Sequence, residues 1–332
     1  MQNAQGAQDS QNRVEFQQLP AIPDLTRLYL GQAFRALPLL GGTQRVVDDP
    51  RVGFRVSGVR TDPGQLAAYC SAVGFALGDA LPASFPYLLS FPLAIAVMDA
   101  PGFPFPAMGA VHLSNVITQH RPVHAGESLG LEVFADNLRA HRKGLVIDMH
   151  TRLRAGGELA WEQTSSFLSV GATWSADTPE HVRERPEDSC RRAGTPLAAR
   201  ELFAHTAAAR LDFSPSGVKE YARASGDKNP IHVSRLGARA FGFPAPIAHG
   251  MLSFARVLAF AGPTLPQAGE LRVDFYKPLV VPGRASLYVY GKKGASPSGA
   301  SPRGATPSRR YELRSARTPE KLHAVVDVQP LS

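Results

Sequence analysis

The sequence is poor in cysteine. Its 332 residues include two, Cys70 and Cys190, far apart and in no metal or redox spacing. This excludes a disulfide framework and suits a reducing compartment, the cytoplasm. No apolar run approaches the ~20 residues that a bilayer-spanning helix needs. The opening stretch MQNAQGAQDSQNRVEF lacks the basic-then-apolar order of a secretory leader. There is no P-loop, no Gly-x-Ser-x-Gly elbow and no Gly-x-Gly-x-x-Gly after a strand, which argues against an NTPase, a serine hydrolase and a nicotinamide enzyme. Metal-ligand spacing is lacking too. His120 and His124 stand four apart, but Pro122 between them removes the shared helix such a pair needs. His112, His141 and His150 have no Cys or Glu at ligand spacing. No metal is expected.

What is present describes a globular chain. Hydrophobic residues make up 44% and charged residues 19%, enough for packed cores, and the length suits two ordinary domains. The net charge is +8. Arg303, Arg309 and Arg310 sit in or beside the low-complexity run GASPSGASPRGATP (294–307), a hairpin insertion whose composition builds no core. The ordered body is therefore less basic than the total. Nucleic acid is not expected, because no zinc-finger spacing or RNA-binding motif accompanies the charge.

Four regions follow from composition: a tail and lead-in over 1–45, a first half over 46–172, a Pro-punctuated linker over 173–200 (Pro179, Pro186, Pro196), and a second half over 201–332. The two halves match at an offset of about 150 residues. Each opens with a helical stretch carrying a tyrosine, Tyr69 or Tyr221. Each then has a proline-containing turn leading into an apolar helix, Phe91–Met98 or Pro246–Ser253. A strand ends in Arg121-Pro122 or Lys277-Pro278, a glycine follows (Gly126 or Gly283), and strand-like segments such as Leu129–Phe134 and Leu287–Tyr290 come next. Two copies of one α+β unit, each a helix wrapped by antiparallel sheet, account for this order. The helices are too few for a doubly wound parallel sheet.

One segment carries chemistry: Tyr221-Ala-Arg-Ala-Ser-Gly-Asp-Lys-Asn-Pro-Ile-His232. Ser214-Pro215 starts a helix as N-cap and first-turn proline. Gly226 permits a change of backbone direction, and Asn229-Pro230 enforces a turn. Asp227 and His232 then flank a tight turn and converge. A carboxylate beside an imidazole positions one water and moves its protons. The plainer alternative is ordinary turn chemistry with an exposed histidine.

Gly226-Asp227-x-Asn229-Pro230-Ile231-His232 resembles the signature of the MaoC-like, (R)-specific enoyl-CoA hydratases, or hydratase 2. Phe243-Pro-Ala-Pro-Ile-Ala-His-Gly-Met251 resembles that family's loop into its central helix. The likeness is sharp over about 213–290 and continues more weakly through the first half, as in double hotdog members. It implies a tandem hotdog fold, with antiparallel sheet around long central helices, and hydration of trans-2-enoyl thioesters to (R)-3-hydroxyacyl thioesters without metal or cofactor. Coenzyme A would enter as part of the substrate, or an acyl carrier protein would replace it. Asp227 and His232 would hold the water, Asn229 would orient them, and the backbone N–H of Gly250 would bind the thioester oxygen. Charge builds on that oxygen during hydration, and a helix N-terminus stabilises it. Gly250 also suits simple packing of helix on sheet.

In the first half Asp79 aligns on Asp227, Leu81 on Asn229, Ser84 on His232 and Ala96 near Gly250. That turn contains no imidazole, so the first repeat is expected to be non-catalytic. Phe91 and Leu93 could line an acyl tunnel, and Lys277, Arg239 and Arg256 could meet coenzyme A phosphates. A hotdog thioesterase and a non-catalytic acyl-CoA-binding subunit are the rival functions. Either a monomer of two hotdogs or a homodimer would supply the sheet pairing. An acid–base pair also implies a rate that falls at acid pH.

Overall fold

The computed structural model describes residues 14–29, 47–107, 109–187, 196, 206–291 and 308–331. The 294–307 insertion and Cys190 lie outside them. Strands β1 (Glu15–Gln18) and β2 (Val52–Val59) precede helices α1 (Pro63–Val73) and α2 (Pro86–Asp99). Strands β3 (Val111–Gln119), β4 (Leu129–His141), β5 (Gly144–Ala155) and β6 (Glu158–Val170) follow, then the short helix α3 (Glu180–Arg183). The second half runs β7 (Ala209–Phe213), α4 (Pro215–Ser225), α5 (Pro230–Val233), α6 (Arg235–Ala240), α7 (Gly250–Ala261), β8 (Gly269–Phe275), β9 (Gly283–Gly291), β10 (Arg309–Ser315) and β11 (Leu322–Pro330). The architecture is α+β, and among the described residues no helix is long and apolar enough to cross a membrane.

The chain forms two compact units that are not contiguous in sequence. The first comprises Met1–Arg60, Pro86–Leu113 and Glu127–Cys190. The second comprises Thr61–Phe85, Ser114–Gly126 and Arg191–Ser332.

In the first unit the strand order is β1-β2-β4-β5-β6. The lead-in contributes β1, which pairs parallel to β2; the other ladders are antiparallel. Helix α2 lies against β2, β4 and β5. Nearly every side chain from Pro86 to Met98 is buried, as the all-round apolar sequence requires. Pro92 falls inside the helix rather than in a turn before it. An interior proline costs about 3 kcal/mol. Complete burial of Leu93 and Val97 offsets this, at about 1.5–3 kcal/mol for each such side chain. The start of the linker region belongs here too: Arg185 forms a bidentate ion pair with Asp49 at 2.6 and 3.0 Å.

In the second unit the order is β3-β8-β11-β10-β9-β7, all antiparallel. Helix α7 packs on β11, and Phe254, Val257, Leu258, Val273, Leu287, Leu313 and Val325 are fully buried. Arg309 and Arg310 are strand residues of β10 rather than part of the insertion. Arg310 makes a buried bidentate pair with Asp327 at 2.7 Å, so its charge is neutralised within the fold. Helices α1 and α4 pack together, and they are equivalent. Asp62 caps α1 and Ser214 caps α4, each before a proline, and each helix ends at a left-handed glycine, Gly74 (φ 94°) or Gly226 (φ 75°). Cap, tyrosine and glycine all recur 152 residues later (Asp62 to Ser214, Tyr69 to Tyr221, Gly74 to Gly226). The tyrosine rings meet at 6.2 Å between centroids.

Candidate active site

The site is assembled entirely within the second unit. Ser214 Oγ accepts the Gly217 N–H at 3.0 Å and starts α4. The helix stops at Ser225 because Gly226 takes a positive φ that other residues adopt only with strain. Ser225 Oγ then locks the exit, donating to the Tyr221 carbonyl at 2.8 Å and accepting the Asp227 N–H at 3.2 Å. Asp227 Oδ1 accepts the Asn229 N–H at 3.1 Å. Asn229 Oδ1 accepts the Ile231 N–H at 3.3 Å and caps α5. Asp227 and Asn229 are thus consecutive caps of one turn, and His232 rides on the single helical turn that follows.

A second segment meets this turn. Ile247 N–H donates to the Ile231 carbonyl at 3.1 Å, and Ala248 N–H donates to the Leu279 carbonyl at 2.8 Å. The Ile247 carbonyl lies 2.8 Å from His232 Nδ1. A carbonyl only accepts, so Nδ1 carries the proton and Nε2 presents a lone pair. The next residue, His249, is 2% exposed. Its Nε2 lies 3.0 Å from the Asp227 carbonyl oxygen and 3.8 Å from Oδ2 of that residue's carboxylate. Its ring stacks on His232 with centroids 3.7 Å apart and planes 27° off parallel. Tyr221 packs behind it at 5.0 Å.

Burial decides the charge of both rings. His232 is held below the usual histidine value chiefly by desolvation, against the opposing pull of Asp227 and the Ile247 carbonyl. His249 is pushed down to about 3, first by desolvation and then by neighbouring His232. Both imidazoles are neutral at neutral pH. The arrangement therefore offers a carboxylate and a neutral imidazole lone pair at one point, able to hold both hydrogens of a water.

Donor atoms of Asp227, His232 and His249 lie within 4.8 Å of one another, close enough to consider a metal ion. The donor chemistry suits one poorly. His249 Nε2–H is committed to a carbonyl, which leaves a carboxylate and one imidazole, whereas zinc sites use three or four protein ligands.

Gly250 is the first residue of α7, where backbone N–H groups have no partner inside the helix. A Cβ there would stand 3.0–3.2 Å from the Phe275 ring, so packing by itself calls for glycine. Of the proposed phosphate contacts, Arg256 is turned to the fold, donating to the Asp212 carbonyl and lying 4.8 Å over the Phe213 ring. Lys277 and Arg239 are exposed. Phe91 and Leu93 are buried in α2 of the first unit. Asp79 does meet an imidazole, but from a remote segment: His124 Nδ1 lies 2.7 Å away. This pair is solvent-exposed, at 76% for Asp79 and 48% for His124, whereas the Asp227 side chain is 16% exposed. Ser84, which the sequence alignment set on His232, bonds to Tyr69 Oη at 2.7 Å; the 152-residue register of α1 and α4 puts Ala80 opposite His232 instead.

Sequence reasoning passed over His249. The available signal was a lone imidazole inside the apolar segment Pro246–Ser253, immediately before Gly250.

The chain is similar to known proteins over most of its length. Residues 198–295 match the model of the MaoC like domain. The chain is 35% identical over 260 residues to 3-hydroxyacyl-thioester dehydratase X of Mycobacterium tuberculosis, covering 78% of this chain and 86% of that protein. A crystal structure of HtdX from Mycobacterium tuberculosis superposes with a TM-score of 0.67 at 32% identity, covering 84% of this chain and 100% of that one. Peroxisomal enoyl-CoA hydratase 2 of Arabidopsis thaliana is 28% identical over 164 residues, 48% of this chain and 51% of that protein.

Proposed function

This chain belongs to the MaoC-like dehydratase family, and on that premise we propose that it hydrates trans-2-enoyl-coenzyme A to the (R)-3-hydroxyacyl thioester and runs the reverse dehydration. Members of this family are hydro-lyases of hotdog fold. The observation that carries the finer reading is the carboxylate of Asp227 and the neutral Nε2 of His232 facing one point.

Both groups are hydrogen-bond acceptors, so they hold the two hydrogens of one water and turn its oxygen lone pair toward C3. As the C3–O bond forms, a water proton passes to the pair, and the C2=C3 π electrons move onto the thioester oxygen as an enolate. The N–H of Gly250, at the positive end of α7, stabilises that charge. The proton held by the pair then passes to C2. Water has been added across the double bond and the pair is restored. Such proton transfer contributes roughly 10²–10⁴-fold, and a single oxyanion donor about 10²–10³-fold. Asn229 holds the carboxylate through its N–H. This reading draws on no metal or cofactor: the C3–O bond forms from the held water, and the protons move through Asp227 and His232. A reducing cytoplasm is our proposed compartment, supported by the paucity of cysteine and by the free, buried Cys70.

The test is loss of enoyl-thioester absorbance with crotonyl-CoA in wild type and His232→Ala, with free-thiol release monitored in parallel. Expected are rapid loss in wild type, near-abolition in the variant, and a product oxidised only by an (R)-specific dehydrogenase. Thiol release without hydration would indicate a thioesterase and overturn the reading.

A further inference from the structure

His249 is a costly residue to bury. Its Nδ1 is buried without a hydrogen-bond partner among the described residues, and an unsatisfied buried polar atom costs about 1–3 kcal/mol. A leucine or phenylalanine would fill the same space without that penalty. What an apolar side chain cannot supply are the contacts His249 does make: an Nε2–H donated to the Asp227 carbonyl at 3.0 Å, and a flat polar ring against His232 at 3.7 Å.

These two contacts act on the backbone of Asp227 and on the ring face of His232. The Asp227 carboxylate is anchored by the Asn229 N–H, but its backbone has left α4 at Gly226, so its carbonyl has no place in the helical ladder. Nδ1–H of His232 donates to the Ile247 carbonyl, a bond that leaves the ring plane free to rock about it. Rotation about its Cβ–Cγ bond would swing Nε2 away from the carboxylate, and a ring stacked on its face opposes that rotation. His249 is backed in turn by Tyr221, and Tyr221 by Tyr69. The side chain does this only as a neutral ring. Protonated, it would carry a positive charge in a buried site beside His232, and the titratable groups around it are Asp227, His232 and Tyr221.

We propose that His249 is a positioning residue for the hydration reaction, clamping Asp227 through its backbone carbonyl and fixing the ring plane of His232, while taking no proton itself. This rests on the hydration reading above. It predicts that the Nε2–H donor, more than the ring's bulk, sets the rate. His249→Phe keeps a flat ring and loses the donor; His249→Gln keeps an N–H donor.

The experiment measures kcat and KM for crotonyl-CoA in full-length wild type and both variants, with melting temperature as the folding control. For His249→Phe, kcat should fall roughly 10- to 100-fold with KM within about threefold, as misplaced catalytic groups cost turnover rather than binding. His249→Gln should recover kcat to within about fivefold of wild type. A folded His249→Phe with near-normal kcat, or a His249→Gln no better than His249→Phe, overturns the proposal. Nitrogen NMR of the histidine rings in wild type tests it without substrate. His249 should remain neutral, Nε2–H and bare at Nδ1, from about pH 7 to about pH 5. An Nδ1–H tautomer, or titration at the ordinary histidine value, overturns it even if a variant fails to fold. A wild type that does not hydrate crotonyl-CoA defeats the hydration reading instead, and the NMR result then decides the clamp separately.

Discussion

Acidification should cost this protein stability by an amount assignable to one side chain. His249 has an ordinary value of 6.5 and a value of about 3 in the folded protein. Below 6.5 the unfolded chain takes up a proton there and the native state does not. The contribution is therefore fully present above 6.5 and is lost as pH falls toward the folded value. Each full unit costs about 1.4 kcal/mol, so the loss from about pH 7 to about pH 5 is about 2 kcal/mol. His232 is shifted in the same direction and adds to the effect. Urea or thermal unfolding of wild type and His249→Phe at both pH values reads this contribution, because titrations beyond His249 and its neighbours Asp227 and His232 are common to the two proteins. Wild type should lose about 2 kcal/mol more than the variant, a shift of a few °C in Tm. Equal losses would refute the neutral burial of His249. The rate follows its own curve. His232 accepts a proton only when neutral, so kcat/KM should be flat from about pH 9 to about 6.5 and fall by up to tenfold per unit below the depressed value. A midpoint at or above 6.5 would contradict the desolvation that the fold imposes.

Other substitutions test neighbouring parts of the argument. Asp227→Asn preserves size and an acceptor for the Asn229 N–H but removes the charge; kcat on crotonyl-CoA should fall about 10²–10⁴-fold with KM nearly unchanged, and a loss under fivefold would remove the carboxylate from the chemistry. Gly250→Ala puts a Cβ 3.0–3.2 Å from the Phe275 ring and should cost about 1–3 kcal/mol by urea unfolding; an unchanged midpoint would show that Phe275 yields without cost. Tyr69→Phe strands the buried Ser84 hydroxyl and should cost about 1–3 kcal/mol. Ser84→Ala made on top of it should add little, and strict additivity of the two would mean that the hydroxyls do not depend on each other.

The sequence by itself determined what rests on local signals. Ser214-Pro215, Gly226 and Asn229-Pro230 each act through backbone geometry within a few residues, so the helix start, the break and the turn that brings Asp227 beside His232 were legible without coordinates. The repeat was legible from Tyr69 and Tyr221 and from Arg121-Pro122 and Lys277-Pro278, whereas the matching caps and glycines of α1 and α4, which fix its register, emerged only from the structure. Tertiary structure alone decided what depends on distant partners. His249 reaches Asp227 across 22 positions, and Gln65 Nε2 donates to the Ala224 carbonyl across 159. No spacing rule joins such residues, since only the folded sheet and helices bring them together. The protonation of the two imidazoles was likewise out of reach, because desolvation is a property of the surroundings and not of the residue. The same holds for the grouping of Thr61–Phe85 with the second unit: the segment belongs to the first repeat in sequence, but Gln65 and Tyr69 bond and pack against the helix that ends at Asp227's turn.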